Sequence, residues 1–335
     1  MDSHNDIISF NSTRRFGVEI ELNTSSDVIQ DSMYIPDGSE DIARIIRCAS
    51  NKPITLKGWL HVNNNEGWVV KPDSTCGIEI NSPVLKGRWD LLQLCHLIDL
   101  FNRHPKVASD SRCSFHVHVN LEDFTEHQIG VLLAWCIKCE GVFFDMIKKS
   151  RKVHSRNQLI GMTDLFSPTS DFDSYHILNQ LGGVKYYSIN CYHMKKGRRK
   201  SVEFRMAGND YCTNPLHVKN YVRLLLLFCD TCKQLDLPKF SKYPKGSAGL
   251  RWIDHYEFFK LLKFNQPNLS EGLIQIRDWI LDQWKNHAGD GLLLDGYDCL
   301  KTTNYDAIRV LREKYRSPPH DFDEHDQLYN RRFYA

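Results

Sequence analysis

The sequence lacks long apolar runs and has no strong excess of charge of either sign. Its most apolar segment, residues 224–229, is far too short to span a bilayer. The 43 basic and 41 acidic side chains leave a formal net charge of +2, which gives no electrostatic argument for binding nucleic acid or a membrane. The first residues also lack the basic and apolar regions of a signal peptide. We therefore expect a soluble, cytoplasmic protein without a membrane partner.

A disulfide framework is also missing, because the eleven cysteines are odd in number and no secretion signal accompanies them. Two Cys-x-x-Cys pairs have the spacing of zinc ligands: Cys136 with Cys139, and Cys229 with Cys232. Both pairs lie in long amphipathic helical patterns, where cysteine packs as a small hydrophobic residue. We therefore favour reduced, buried thiols over a structural zinc site.

The common motifs of P-loop nucleotide binding and of zinc hydrolases are absent. The segment 182–185, Gly-Gly-Val-Lys, lacks the spacing of a Walker motif and the Ser or Thr after its lysine. Neither H-E-x-x-H nor H-x-E followed by C-x-x-C occurs, which disfavours metalloproteases and deaminases. A nucleotide bound by this chain would therefore be held by metal ions rather than by a P-loop.

The sequence does contain three short segments in which apolar and ionisable residues alternate, namely 16–22, 115–119 and 201–206. Alternation with a period of two is typical of β-strands, because successive side chains point to opposite faces of a sheet. In the third segment this rule predicts that Met206 continues the apolar face. The ionisable residues of the other parity are Glu19, Glu21, His116, His118, Glu203 and Arg205.

The remaining patterns interleave helices with strands. A capping box, Thr125-x-x-Gln128, opens a long helix to about residue 149. An Asn- and Gly-rich turn at 63–67 predicts a hairpin between 59–62 and 68–70. Together these signals predict an α+β fold with a curved, mainly antiparallel sheet and helices on its apolar face. Helices are predicted at about 42–49, 89–103, 214–233, 254–264, 270–287 and 304–315.

The ionisable side chains suit a particular kind of site. Carboxylate oxygens are the ligands that Mg²⁺ and Mn²⁺ prefer, and a minority of imidazole ligands is compatible with Mn²⁺ or a tolerant Mg²⁺ site. Several carboxylates on one face would repel each other without cations between them. Each strand alone is more typical of a half-exposed sheet edge with solvated charges, and only their joint occurrence favours a site. The candidate ligands are Glu19, Glu21, Glu79, Glu203 and Asp73 for oxygen, and His116 and His118 for nitrogen.

In chain order, the motifs F-G-V-E-I-E, W-V-V-K-P-D-S-T-C-G-I-E-I-N-S-P, F-H-V-H-V-N, K-Y-Y-S-I-N and V-E-F-R resemble those of the amidoligase family. This family belongs to the carboxylate–amine ligase superfamily, which shares its catalytic sheet with glutamine synthetase, glutamate–cysteine ligase and the guanidino kinases. The resemblance spans about residues 14–235 and implies a glutamine synthetase-like catalytic sheet. It implies an amidoligase-like catalytic domain at 16–237. The residue pattern outside it predicts a flexible N-terminus at 1–15, a helical extension at 238–316 and a charged, partly disordered tail at 317–335.

The resemblance also implies roles for individual residues. The divalent-metal ligands would be Glu19, Glu21, Glu79, His116 and Glu203. Asp73 would be a metal ligand or a substrate contact, and His118 would lie behind the ligands or face the substrate. Arg205 would contact the phosphates of ATP or the acyl phosphate. The catalytic set is thus Arg205, Glu79, Asp73 and His118, and further nucleotide contacts would be Lys185, Asn190, Arg151 and Arg156.

The implied reaction is ATP-dependent amide or isopeptide formation with Mg²⁺ or Mn²⁺, and two ions are expected. Metal-bound ATP would phosphorylate a carboxylate, and an amine would attack the acyl phosphate. The carboxylate and amine partners stay open among amino acids, peptides, polyamines and modified macromolecules, as does the oligomeric state. Two alternatives remain: a guanidino-type phosphotransferase on the same sheet, and a non-catalytic metal- or peptide-binding module.

Overall fold

The computed structural model describes residues 12–24, 38–57, 66–148, 188–195, 200–238, 253 and 255–287. These residues group into two compact units. The sheet unit takes its residues from Asn11–Glu122 and Ile189–Leu226, and the helical unit takes most of its residues from Asp123–Ser188 and Leu227–Ala335. The four-part division expected from the sequence stays a prediction.

Nine strands of the sheet unit form one open sheet, in the order β2-β3-β4-β1-β7-β9-β8, with the short strands β5 and β6 also pairing with β1. Every described pairing is antiparallel except that of β2 with β3. The predicted α+β class and the mainly antiparallel sheet are therefore confirmed. The bounds are β1 Arg15–Thr24, β2 Ile54–Leu56, β3 Trp68–Asp73, β4 Gly77–Asn81, β5 Leu85–Lys86, β6 Val107–Ala108, β7 Ser114–Asn120, β8 Ile189–Asn190 and β9 Ser201–Gly208.

The apolar parity of the strands is buried in a core shared with two helices. Helices α1, Ser39–Ala49, and α2, Gly87–Arg103, pack on each other, and they also contact strands of the sheet. Ile20 of β1 is fully buried, as are Leu94 and Phe101 of α2. Burial of such a side chain stabilises the fold by roughly 1.5–3 kcal/mol. Because the apolar side chains of β1 face the core, the side chains that alternate with them lie on the opposite face of the sheet, where they include ionisable groups.

Strand β9 contains a bulge that simple alternation does not foresee. Val117 of β7 pairs with Phe204, but Phe115, two residues earlier, pairs with Ala207, so β9 has one extra residue between these pairs. Paired residues of two strands share a face of the sheet. Ala207 therefore takes the position opposite Phe115, while Met206, predicted on the apolar face, is itself buried.

Strand β3 corrects the predicted hairpin. It pairs in parallel with β2 on one edge and antiparallel with β4 on the other. A strand has only two edges, so residues 68–70 have none left for the predicted hairpin partner at 59–62, which itself lies outside the described residues. The run of buried residues from Trp68 to Val70 fits a strand flanked on both sides rather than one arm of a hairpin.

The helical unit is an aromatic-rich packing of helices. The predicted capping box is confirmed: Thr125 Oγ1 accepts from the Gln128 amide at 3.2 Å, and Gln128 Oε1 accepts from the Thr125 amide at 2.9 Å. Phe143 meets Phe228 edge to face, with ring centroids 5.2 Å apart. The other helices of the described chain are α3 Glu126–Phe144, α4 Tyr192–Lys195, α5 Asn209–Cys212, α6 Pro215–Cys232, α7 His255–Leu261 and α8 Glu271–His287, of which α4, α5 and the first part of α6 belong to the sheet unit.

Helix α3 is the one described helix that is long and apolar enough to cross a membrane, but it is mostly buried within the protein, as core helices of soluble proteins are. It carries Cys136 and Cys139, which are fully buried, as are Cys229 and Cys232 of α6. Burial raises the pKa of the Cys139 and Cys232 thiols well above the ordinary value. Among the described residues, these thiols do not converge as a set of metal ligands.

Candidate metal and active site

The centre of the candidate site is strand β1, which has neighbours on both edges. Glu19 pairs with Asn81 of β4 on one side and with His116 of β7 on the other, while Glu21 pairs with Glu79 of β4. Because paired residues share a face, this register gathers carboxylates and an imidazole around β1.

Further polar and ionisable side chains of the same face lie on β7, β9 and β8. His118 pairs with Glu203 of β9, and Glu203 pairs in turn with Asn190 of β8. The structure thus brings together, on one face of the sheet unit, most of the predicted site residues that it describes. They are Glu19, Glu21, Glu79, His116, His118, Asn190, Glu203 and Arg205.

Glu19 contacts both imidazoles. Its Oε2 lies 3.0 Å from His116 Nδ1, and its Oε1 lies 3.0 Å from His118 Nε2. Glu19, His118 and Glu203 each offer an atom such that all three atoms lie within 4.8 Å of one another. This is the one group of three or more His, Cys, Asp or Glu residues, among those described, that is close enough to share an ion.

Glu203 is held by its neighbours in strands β8 and β9. Asn190 Nδ2 donates to Glu203 Oε2 at 2.6 Å, and Arg205 forms an ion pair with Oε1. The Asn190 Oδ1 accepts from the Tyr192 amide at 2.9 Å, which fixes the orientation of the side-chain amide. The predicted role of Asn190 near phosphate stays a prediction, since both ends of its amide are engaged within the protein.

Two polar residues of the site were not among the sequence-based candidates. Lys71 Nζ lies 2.8 Å from Glu79 Oε1, and the Ser114 hydroxyl donates to Glu21 and lies 2.8 Å from His116 Nε2. Each had a signal in the sequence. Lys71 stands two positions before Asp73 and Ser114 two positions before His116, and residues two apart in a strand point to the same face of the sheet.

The charges of this face perturb one another strongly. Burial alone would lower the pKa of His118, but the carboxylates Glu19 and Glu203 outweigh it and raise that pKa to about 9. Burial would likewise raise the pKa of Glu19, yet His118 and His116 hold it well below the ordinary value. Burial and the nearby Glu19 raise the pKa of Glu79 to about 7 in spite of Lys71. Removal of Glu79 from water is the largest of these effects on its pKa, and the charge of Glu19 adds to it.

Asp73 is engaged at the turn that joins β3 to β4. Its Oδ1 accepts from the Thr75 amide at 2.7 Å and from the Cys76 amide at 3.2 Å, and it also contacts the Thr75 hydroxyl. Burial would raise the pKa of Asp73, but these hydrogen bonds outweigh that effect and lower the pKa. A role in metal or substrate binding would therefore use Oδ2. Lys185, Arg151 and Arg156 lie outside the described residues.

The donor atoms present fit a divalent cation. Carboxylate oxygens and imidazole nitrogens are the ligand types of Mg²⁺ and Mn²⁺ sites. Asn81, beside Glu19, has a buried Oδ1 without a hydrogen-bond partner among the described residues, and such an acceptor is satisfied by a cation or a donor. The three-residue group contains His118, whereas His116 was the imidazole expected as a ligand.

A nine-stranded mixed sheet with this acidic face defines an α+β protein with a candidate metal site. Residues 12–161 match the family model described as "Putative amidoligase enzyme". The match includes the motifs around Glu19, Glu79 and His116 and ends before Glu203. The resemblance to the amidoligase family is thereby confirmed over that part of the chain.

Among solved structures, the chain is similar to a bifunctional glutathione synthetase from Pasteurella multocida, with a TM-score of 0.38 and 8% sequence identity. The aligned region covers 90% of this chain and 49% of that one, so the chain spans about half of its length. A similarity of this size carries no argument about activity. The comparison with curated proteins gives no match.

Proposed function

We propose that the chain is an ATP-dependent carboxylate–amine ligase, which forms an amide or isopeptide bond through an acyl phosphate. The observation that carries the proposal is the convergence of Glu19, His118 and Glu203 on one face of the sheet, in a chain whose residues 12–161 match the amidoligase family.

Two Mg²⁺ or Mn²⁺ ions would be held by this face. When bound, they would neutralise the phosphates of ATP and orient the nucleotide for transfer. The donor set and the buried Oδ1 of Asn81, unpartnered within the described part of the chain, support this assignment. The proposed ligands are Glu19, Glu21, Glu79, His116 and Glu203, with His118 as a further imidazole.

The other residues would position phosphate and substrates. Arg205, whose guanidinium already lies against Glu203, would contact the transferring phosphoryl group. The Oδ2 atom of Asp73 remains for a metal or substrate contact. Further phosphate contacts are proposed for Lys185, Asn190, Arg151 and Arg156.

The chemistry explains why such a site needs positioning and charge neutralisation above all. A carboxylate oxygen attacks the terminal phosphorus of ATP, and ADP leaves. The amine nitrogen then attacks the acyl carbon, and the C–O bond to phosphate breaks as phosphate leaves. Fixed positive charge near the phosphoryl oxygens lowers the barrier of both steps. The carboxylate and amine are open among amino acids, peptides, polyamines and modified macromolecules.

The test is hydroxamate formation by purified protein with ATP, Mg²⁺ and pooled carboxylates, with hydroxylamine in place of the amine. We expect an acyl hydroxamate and equimolar ADP. Glu203→Gln and Arg205→Ala should each lower the rate by at least about 100-fold, because they remove charge aimed at the phosphates or at the metal that neutralises them. Glu122→Gln is the matched control, since Glu122 is an exposed carboxylate of the same unit that pairs with Arg15.

Other outcomes would contradict the ligase proposal. Mass spectrometry that finds a phosphorylated acceptor and no amide or hydroxamate would favour a guanidino-type phosphotransferase. Metal or peptide binding without nucleotide turnover across the carboxylate pools, and without a nucleotide-dependent thermal shift, would favour a binding module.

A further inference from the structure

The hydroxyl of Ser114 lies between two of the proposed metal ligands. Ser114 Oγ donates to Glu21 Oε2 and is 2.8 Å from His116 Nε2. All three residues are buried, with relative exposures of 2% for Ser114, 1% for His116 and 7% for Glu21. Buried polar groups in such a chain depend on one another for their hydrogen bonds.

Counting protons along this chain determines the direction of each hydrogen bond. A carboxylate only accepts, so the single proton of the Ser114 hydroxyl is donated to Glu21. The oxygen of Ser114 then accepts from His116, so Nε2 of His116 carries a proton, and Nδ1 is the ring nitrogen that a metal could bind. The orientation of the imidazole is fixed at the same time, because Nε2 cannot leave Ser114 without breaking the chain.

The opposite ring nitrogen then faces acceptors. His116 Nδ1 lies 3.0 Å from Glu19 Oε2 and 3.5 Å from Glu203 Oε1. In the metal-free protein a ring proton on Nδ1 would satisfy these acceptors. A divalent cation bound beside Glu19 would replace that proton and take Nδ1 as a ligand, since imidazole nitrogen and carboxylate oxygen are donor types that it accepts.

We infer that Ser114 is a positioning residue of the metal site. It holds His116 in the Nε2-protonated tautomer with Nδ1 turned to Glu19 and Glu203, and it restrains Glu21 through the same hydroxyl. Metal-binding histidines commonly donate their second ring N–H to a fixed acceptor, and loss of that acceptor typically weakens metal binding by roughly 10–100-fold. The inference rests on the metal site of the proposed function, but not on the ligase reaction.

The first test is Mn²⁺ binding by the full chain, followed by electron paramagnetic resonance. We expect Ser114→Ala to weaken Mn²⁺ binding by about 10–100-fold. Ser82→Ala is the matched control, because Ser82 Oγ also makes two hydrogen bonds in this sheet unit, from the Val18 amide and to the Pro83 carbonyl, each at 2.8 Å. The control should leave the affinity unchanged. Mn²⁺ affinity of Ser114→Ala within about twofold of the wild type would overturn the inference.

The second test needs no variant and reports the tautomer directly. In ¹⁵N-labelled, Mg²⁺-saturated wild-type protein, long-range ¹H–¹⁵N spectra should show His116 with its proton on Nε2. A proton on Nδ1 instead would overturn the inference, as would a wild-type protein that binds no divalent metal. Tight Mn²⁺ binding with the expected tautomer but without hydroxamate formation would contradict the proposed ligase function. It would still support the role of Ser114.

Discussion

Replacement of Glu19 by glutamine tests the electrostatic centre of the site with a near-isosteric change. Glu19 contacts His116 and His118 at 3.0 Å each, and its charge is the foremost contribution raising the pKa of His118. The glutamine would keep the shape of the side chain and remove the charge. The pKa of His118 should therefore fall from about 9 towards its ordinary value.

The magnitude follows from the raised pKa. In metal-free wild-type protein, the rise from about 6.5 to about 9 corresponds to about 3 kcal/mol of stability. This contribution is fully present below the ordinary pKa and is lost as pH rises through 9, because the protonated imidazole is the form that the carboxylates stabilise. Since Glu203 also raises the pKa, Glu19→Gln should remove only part of it. We expect a fall of at least about 1 pH unit, or about 1.4 kcal/mol.

The assay is a ¹H NMR titration of the His118 ring in chelator-treated protein between about pH 5 and 10, a range that spans the ordinary and the raised pKa. Wild-type protein with Mg²⁺ forms a second arm, in which the apparent pKa should fall because the metal competes with the proton. Glu122→Gln, which removes an exposed carboxylate of the same unit, should change nothing. An unaltered pKa of His118 in Glu19→Gln would refute the electrostatic account of this face.

Two further predictions concern neighbouring carboxylates. Lys71→Met leaves the buried Glu79 without its ion pair, so urea unfolding of metal-free protein at about pH 8 should show a loss of about 2–4 kcal/mol. The loss should shrink at about pH 6, where Glu79, with its pKa raised to about 7, is mostly protonated. Asp73→Asn keeps the acceptor Oδ1 for Thr75 and Cys76, so stability should change by less than about 1 kcal/mol. Its hydroxamate activity should fall at least about 10-fold, because the anionic Oδ2 is lost.

Each of these variants has a control on the same unit. Lys86→Met removes an exposed lysine of β5 and should cost less than about 0.5 kcal/mol. Asp99→Asn alters a surface aspartate that pairs with Arg103 on α2, and it should leave activity intact. Equal stability losses for Lys71→Met at the two pH values would contradict the role given to Glu79. Full activity of the Asp73→Asn variant would mean that Asp73 only stabilises the turn and does not contact metal or substrate.

The sequence predicted those features of the fold that depend on local pattern. Alternation located the strands that carry Glu19, His116 and Glu203, and the capping box located the start of α3 at Thr125. It failed where pairing partners decide the outcome. The bulge in β9 and the parallel pairing of β2 with β3 depend on which strand lies alongside, and a strand's own residues do not specify its neighbour.

The candidate site was likewise predicted only in part. Parity alone placed the ionisable residues on one face, but the distances within that face follow from the register of strands far apart in sequence. That register puts His118 beside Glu203, and it puts Ser114 between Glu21 and His116. Ser114 is uncharged, so its one signal in the sequence was its place two residues before His116 on the same strand. The short distances between these side chains follow only from the pairing of β1, β7 and β9.

The central position of β1 has a consequence for how the protein is made. Glu19 is 97 residues from His116, and the strand that carries Glu203 follows much later in the chain. At a synthesis rate of about 5–20 residues per second, β1 leaves the ribosome roughly 10–40 s before β9 can join the sheet. During that interval β1 can already pair with β4 and β7, but the outer edge of β7 stays open and the site lacks Glu203. A nascent chain stalled before β9 is therefore expected to need a chaperone, rather than to act as a weaker version of the finished protein.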